Sequence, residues 1–501
     1  MILYFLFFLS ASYGKDPDIQ LNGATEITKF DFGSEPDLVG YTFSIFPGNE
    51  ENTYIIENTD SFPPRTDITQ LKASFKTINT LVTVKVNGVK QVSRITENDF
   101  INPLIYEAYA ENGDVKTYKV IVNVSKKSIV TEKYIFINND LSTEKEIKNI
   151  VSIFGKQSNK KIAVGFGVIV SMLNASTADV VEKINSQLAL ASKYNLPVSI
   201  KLDAEVFWKF RADLWNWWDL SKPGYNPDNK NNVEWTDWSN DSAVKLGWNH
   251  WGGRQIRMVP APNLMSPKYK EAWKSAMTAC VNTIKAWYER LPEDKKYLFG
   301  NIVVGWESSI GVTNFFYPNG NEYLNKSEKN DPKKGTDIYV LPSRGVQTLG
   351  YAAVKTAGIA SFGDITETML TEVVKRHLED LSKTVYDLDI PREKIFTHCG
   401  GWAKGETLYT AANNPYSCPG WSFYYYASNP TNDLTAMDAL SQSDAPYWGA
   451  VEWLLKGQNQ SDWSDALNAS LSKNCRIIII YSWRHINSNY DALNAIKEIN
   501  K

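Results

Sequence analysis

The feature that most restricts this chain is a succession of eight short apolar runs beginning after residue 130, several of them separated by amphipathic stretches. In order they read "YIFIN", "KIAVGFGVIV", "PVSIKLD", "NIVVGWE", "KIFTHCG", "WSFYYYAS", "YWGAVEWLL" and "CRIIIIYSW". Residues 177–194 place Val181, Ile184, Leu188 and Ala191 on one helical stripe, and residues 268–291 do the same with Trp273, Met277, Val281 and Ile284. A third helix is expected from "DITE", with Asp364 as cap, Glu367 completing the box, and Leu370, Val374, His377 and Leu381 following at helical spacing. Strands alternating with helices imply parallel strands and crossover helices. The expected fold class is therefore α/β, a (β/α)8 TIM barrel with long insertions over residues 130–501. The sixth run is the least defined, and an open sheet is the alternative.

Residues 25–126 follow a different pattern. Runs such as "ITKFDF", "YTFSIF", "VTVKV" and "KTYKVIVNV" alternate apolar and polar, which predicts a small all-β antiparallel sandwich. The pairs Asn87-Gly88 and Asn112-Gly113 suit two-residue hairpins, whose central positions need positive φ. The closing hairpin "YEAYAENGDVKTYKVIVNVS" resembles the last strands of the immunoglobulin-like, cadherin-like modules of bacterial secreted and surface proteins. That resemblance implies a spacer or attachment domain.

Residues 1–14, "MILYFLFFLSASYG", are apolar and end in small residues before "KDPD", the pattern of a signal peptide and of a secreted or surface-associated protein. A truncated start or a membrane anchor would read similarly. No later run is long enough to span a membrane. The net charge of -3 gives no basic footprint for nucleic acid. Four cysteines without a CxxC pair exclude a disulfide scaffold and a zinc ribbon, and Cys399 with Cys418 is the expected bridge. The four histidines lack metal-ligand spacing, and neither a phosphate-binding glycine loop nor GxSxG occurs, so no metal or other cofactor is expected.

In a TIM barrel, catalytic side chains sit at the carboxyl ends of strands. Glu307 ends the fourth run and Glu452 falls in the seventh, positions that face each other across a barrel mouth. Either alone reads as a rim ion pair; together they suit a proton donor and a nucleophile acting on one glycosidic bond. This layout resembles the large clan of retaining (β/α)8 glycoside hydrolases with glutamates on strands four and seven. The resemblance implies Glu307 as acid/base, Glu452 as nucleophile, and Trp483 as the tryptophan ending strand eight. Trp306 stands where many members carry Asn, and is taken as a substrate-binding candidate. A non-catalytic carbohydrate-binding protein and an inverting glycosidase are the alternatives.

Asp203 and Glu205 form a competing pair after the third run; Asp203 is assigned to a sugar hydroxyl or a structural salt bridge. Aromatics make up 13% of the chain, with 17 Trp, many in the long segment after the third run. A tryptophan face with a polar N–H edge matches a pyranose ring, so the expected partner is an oligo- or polysaccharide. Trp248 and Trp251 in "GWNHWGGR" are the candidate ring walls, with His250 as a polar contact, although such aromatics also build satellite cores. His398 ends the fifth run near Trp402, as a sugar or nucleophile contact or as a satisfied core histidine. Arg484 would pair with Glu452 or bind an anionic sugar substituent.

Overall fold

The computed structural model describes residues 23–62, 66–125, 131–138, 143–251, 254–311, 313–332, 346–400, 407–457 and 459–500. Residues 1–14 and Trp402 lie outside them. The chain divides into two compact units, Met1–Lys126 and Lys127–Lys501.

The first unit is all β. One sheet has the order Phe43–Pro47, Thr53–Asn58, Val115–Ile121, Leu104–Tyr109, Thr83–Val86, Val89–Lys90, and two smaller pairs accompany it. Its core is aromatic: Phe30, Phe32, Phe100 and Tyr106 are buried in edge-to-face or stacked contact. Asn87 and Gly88 both take positive φ, as a two-residue hairpin demands. At the second hairpin only Gly113 does so, and Ala110 and Asp114 close a three-residue loop instead. The pairing is not wholly antiparallel either, because Val115–Ile121 runs parallel to Thr53–Asn58. The long connection between these two strands makes that arrangement possible.

The second unit is a closed barrel of eight parallel strands: β1 (Lys133–Asn138), β2 (Ile162–Ser171), β3 (Val198–Asp203), β4 (Phe299–Ser308), β5 (Ile395–Cys399), β6 (Gly420–Phe423), β7 (Trp448–Trp453) and β8 (Cys475–Ile480). Pairing of β8 with β1 closes it and removes the open-sheet alternative. Each strand sorts its residues by period two. Phe136, Val303, Phe396, Ile477 and Ile479 belong to an inner cluster, while Ile135, Val304, Ile395 and Ile478 join the larger outer core with the helices. Phe136 fills the lumen so closely that a Cβ on Gly300 of β4 would lie 2.2 Å from its ring. Glycine there is a packing requirement.

Toward the carboxyl ends, the inner positions turn from apolar to polar. Phe136 is followed by Asn138 on β1 and Phe396 by His398 on β5, while β3 carries Lys201 and Asp203. Water-excluding side chains thus seal one end of the lumen and ionisable ones occupy the other.

The helices cover the outside as their apolar stripes require. Thr177–Tyr194 buries Ile184, Leu188 and Ala191, but Val180 in place of Val181. Pro267–Arg290 buries Trp273, Met277, Val281 and Ile284. The helix Glu367–Tyr386 buries its four expected residues, yet its cap is Thr366, which accepts the Met369 N–H, and not Asp364. The expected bridge also fails: Cys399 and Cys418 are buried thiols that no disulfide joins. Cys399 Sγ donates to the Leu408 carbonyl 3.3 Å away.

Candidate active site

Glu307 reaches the barrel mouth through a break in strand geometry. Gly305 and Glu307 both adopt left-handed φ, +81° and +51°, and the register between β4 and β5 shifts between Val304 and Ser308. A non-glycine residue held there costs about 1–3 kcal/mol, strain of a kind that concentrates at functional sites. The side chain is 5% exposed, and its Oε1 accepts a hydrogen bond from Ser422 Oγ at 2.9 Å.

Glu452 is re-aimed by a different device. Val451 faces the inner cluster and Trp453 the outer core, although residues two apart on a regular strand share a face. A register shift between Ala450 and Trp453 accounts for this, because one bulged residue flips the alternation and turns Glu452 inward. Its Oε2 accepts from Lys201 Nζ at 2.9 Å, with the two side chains 6% and 2% exposed. Its Oε1 accepts from the Tyr424 hydroxyl. Burial and the nearby Glu452 and Glu307 charges hold that hydroxyl well above the usual phenol range, so it stays a donor.

These contacts make β6 the organiser of the site. Ser422 and Tyr424 are two residues apart on its line and so project to the same side, one donating to Glu307 and the other to Glu452. Behind them, His398 Nε2 lies 2.8 Å from Ser422 Oγ. The serine's single proton goes to Glu307, so His398 must donate through Nε2–H, leaving Nδ1 as a bare acceptor. Burial and then the Lys201 charge push His398 well below the usual imidazole range, which keeps it in this neutral form.

The remaining expected residues fall as follows. Trp306 is half-buried, 5.7 Å from the Phe207 ring and with Lys201 Nζ 5.9 Å from its own. Asp203 is fully buried, and its carboxylate accepts the backbone N–H groups of Glu205 and Val206 at 2.8 and 2.9 Å. It braces its own turn, and among the described residues no cation forms a salt bridge with it. Burial pushes its carboxyl up to about 6. Glu205 is held from the outer layer, accepting from Ser308 Oγ and from His377 Nε2 at 3.0 Å.

Three expectations change. Trp248 is no ring wall: it is fully buried against Tyr317 and Tyr323, and its Nε1 donates to Asp331 at 3.0 Å. His250 and Trp251 lie on the same strand, Gly247–Trp251, and their side chains fall outside what is described. Trp483 starts a short helix after β8 and is buried in the outer core. Arg484 follows it exposed, and the cation at Glu452 is Lys201.

The sequence reading missed Lys201, Ser422 and Tyr424. A lone lysine inside the apolar run "VSIKLD" was a usable signal, since an unpaired buried ammonium is too costly to keep. Beside Glu307 opens a hollow lined among others by Glu205, Trp306, Asn249 and Asn314. Among the described residues no group of His, Cys, Asp and Glu could hold a metal ion, and no helix is long and apolar enough to cross a membrane.

No family model and no curated protein matches this chain. Among solved structures it is similar to the β-mannanase of the blue mussel Mytilus edulis, at 10% identity and TM-score 0.35, over 74% of this chain and 91% of that one. It is also similar to the mannohexaose complex of the Thermomonospora fusca β-mannanase, at 9% identity and TM-score 0.30, over 79% and 89%. A third is the Prevotella bryantii endo-β-mannanase/endo-β-glucanase, at 10% identity and TM-score 0.36, over 75% of this chain and 50% of that one. At such scores none of them bears on function, which rests on the chain's own side chains.

Proposed function

We propose that the chain is a glycoside hydrolase that cleaves O-glycosidic bonds of an oligo- or polysaccharide with retention, Glu452 acting as nucleophile and Glu307 as acid/base. The observation that carries this reading is the pair of hydroxyls at the end of β6, Ser422 and Tyr424, each donating to one of two buried carboxylates at the same barrel mouth. Two carboxylates gathered at such a point suit double displacement, for which a separation of about 5 to 5.5 Å is required.

In the first step a Glu452 oxygen attacks the anomeric carbon. The bond from that carbon to the glycosidic oxygen breaks, and the Glu307 proton passes to the departing oxygen. In the second step Glu307 takes a proton from water, which attacks the same carbon and releases Glu452 as a carboxylate. Lys201 and Tyr424 hold both Glu452 oxygens as acceptors, which stabilises the leaving carboxylate of that second step. In keeping with residues 1–14, the protein is proposed to be exported, with the first unit an immunoglobulin-like spacer.

The test is hydrolysis of a panel of aryl glycosides and polysaccharides by the wild type and by Glu452→Gln. We expect turnover to fall by at least about 10³-fold in the variant while oligosaccharide binding persists. A wild type that binds oligosaccharides without cleaving any would establish a binding protein instead, and inversion of the anomeric product would exclude the nucleophile.

A further inference from the structure

The hollow beside Glu307 has a wall that the chemistry above does not use. It is built by an inserted sheet, the hairpin Gly247–Trp251 and Arg254–Met258 joined by Asn314–Phe315, which the chain supplies from either side of β4. Asn249 and Asn314 are register partners on adjacent strands of that sheet. Asn249 is 1% exposed, yet neither its amide nitrogen nor its amide oxygen has a hydrogen-bond partner. Asn314 Oδ1 and Thr313 Oγ1, from residues that line the same hollow, are likewise buried without partners. Buried polar groups are rarely left unsatisfied, and one orphan costs about 1–3 kcal/mol. Four such atoms line this one hollow, a wall with donors and acceptors to offer.

The position of the hollow says which part of a substrate would fill it. Glu307 lines it and Glu452 is not among its described lining residues. A nucleophile holds the sugar whose anomeric carbon it attacks, whereas the acid touches the oxygen that departs. The hollow on the acid's side is therefore where the departing portion lies. Its described lining contains no Lys or Arg, which disfavours an anionic group, and the orphans offer both donors and acceptors, as hydroxyls require.

We propose that this hollow is a leaving-group subsite that binds one neutral, hydroxyl-bearing sugar unit through Asn249, Thr313 and Asn314. The assignment rests on the glycosidase reading above. Burial pushes the Glu234 carboxyl up to about 8, which makes it a further neutral donor near pH 7.

The experiment compares wild type, Asn249→Ala and the near-isosteric Thr313→Val on two substrate types. Cellohexaose and mannohexaose place a sugar in the hollow; a 4-nitrophenyl glycoside places an aryl ring without hydroxyls there. The expected result is a loss in kcat/KM of about tenfold for Asn249→Ala and about threefold for Thr313→Val on the hexasaccharides. On the aryl glycoside both variants should stay within about twofold of wild type. Equal losses on both substrate types, or none on either, overturn the subsite while leaving the glycosidase reading intact. Calorimetric binding of the same hexasaccharides to Glu452→Gln, with and without Asn249→Ala, judges the subsite separately from turnover. An inactive wild type would sink the function, and undiminished binding in the double variant would sink the subsite. Tighter, Asn249-dependent binding of an oligogalacturonate would overturn its neutral character.

Discussion

Replacing Lys201 with methionine leaves the Glu452 carboxylate buried without its cation. Two unit charges 2.9 Å apart attract by about 1.4 kcal/mol in water and by about 6 kcal/mol at an effective dielectric near 20. Side chains 2% and 6% exposed belong nearer the second regime. Desolvation of both ions consumes much of that attraction, but removing one partner strands the other, at about 3–5 kcal/mol. Lys201→Met and Glu452→Gln should each destabilise the barrel by about that amount, and the double variant by far less than their sum. The coupling energy should be about 2–4 kcal/mol. All 17 tryptophans lie after residue 126, so denaturant unfolding followed by tryptophan fluorescence reports on the barrel unit alone. A coupling below about 1 kcal/mol, the value of an exposed pair, would refute the buried-pair reasoning.

Glu234 gives a pH signature. Burial raises its carboxyl from 4.5 to about 8, so between those values the folded chain binds more protons than the unfolded one, and stability falls as pH rises through that window. The penalty reaches at most about 5 kcal/mol, and Glu234→Gln should flatten the decline between pH 5 and 9 in urea unfolding. Parallel curves for the two proteins would reject it. Asp203 bends both curves the same way, its carboxyl being raised to about 6, so only the difference isolates Glu234. Ser422→Ala removes the donor to Glu307 and the acceptor for His398 at once. It should cost about 1–3 kcal/mol in chemical denaturation and lower kcat more than it raises KM. Full activity in this variant would show that the serine does not position Glu307.

The barrel is legible because each strand is a short apolar run, and closure follows once eight such runs alternate with helices. Glu307 and His398 are legible for a related reason, since each ends such a run with a polar group at an inward position. What alternation cannot convey is reach across the lumen. Lys201 and Glu452 are distant in sequence and lie on strands that are not neighbours, so nothing local announces their pairing. The sixth strand is too short to show a period, which hid Ser422 and Tyr424 inside an aromatic run. Trp248 and Trp483 were misplaced because exposure of an indole depends on what packs over it, and a tryptophan built for a sugar face resembles one built for a core.

The bulge in β7 separates making a fold from making a catalyst. Val451 already faces the lumen where the extra residue falls, so straightening the bulge would leave that aliphatic filling in place while rotating the Glu452 carboxylate out among the helices. A strand straightened in this way would keep its place in the barrel and its share of the secondary structure, and lose only the inward aim of one carboxylate.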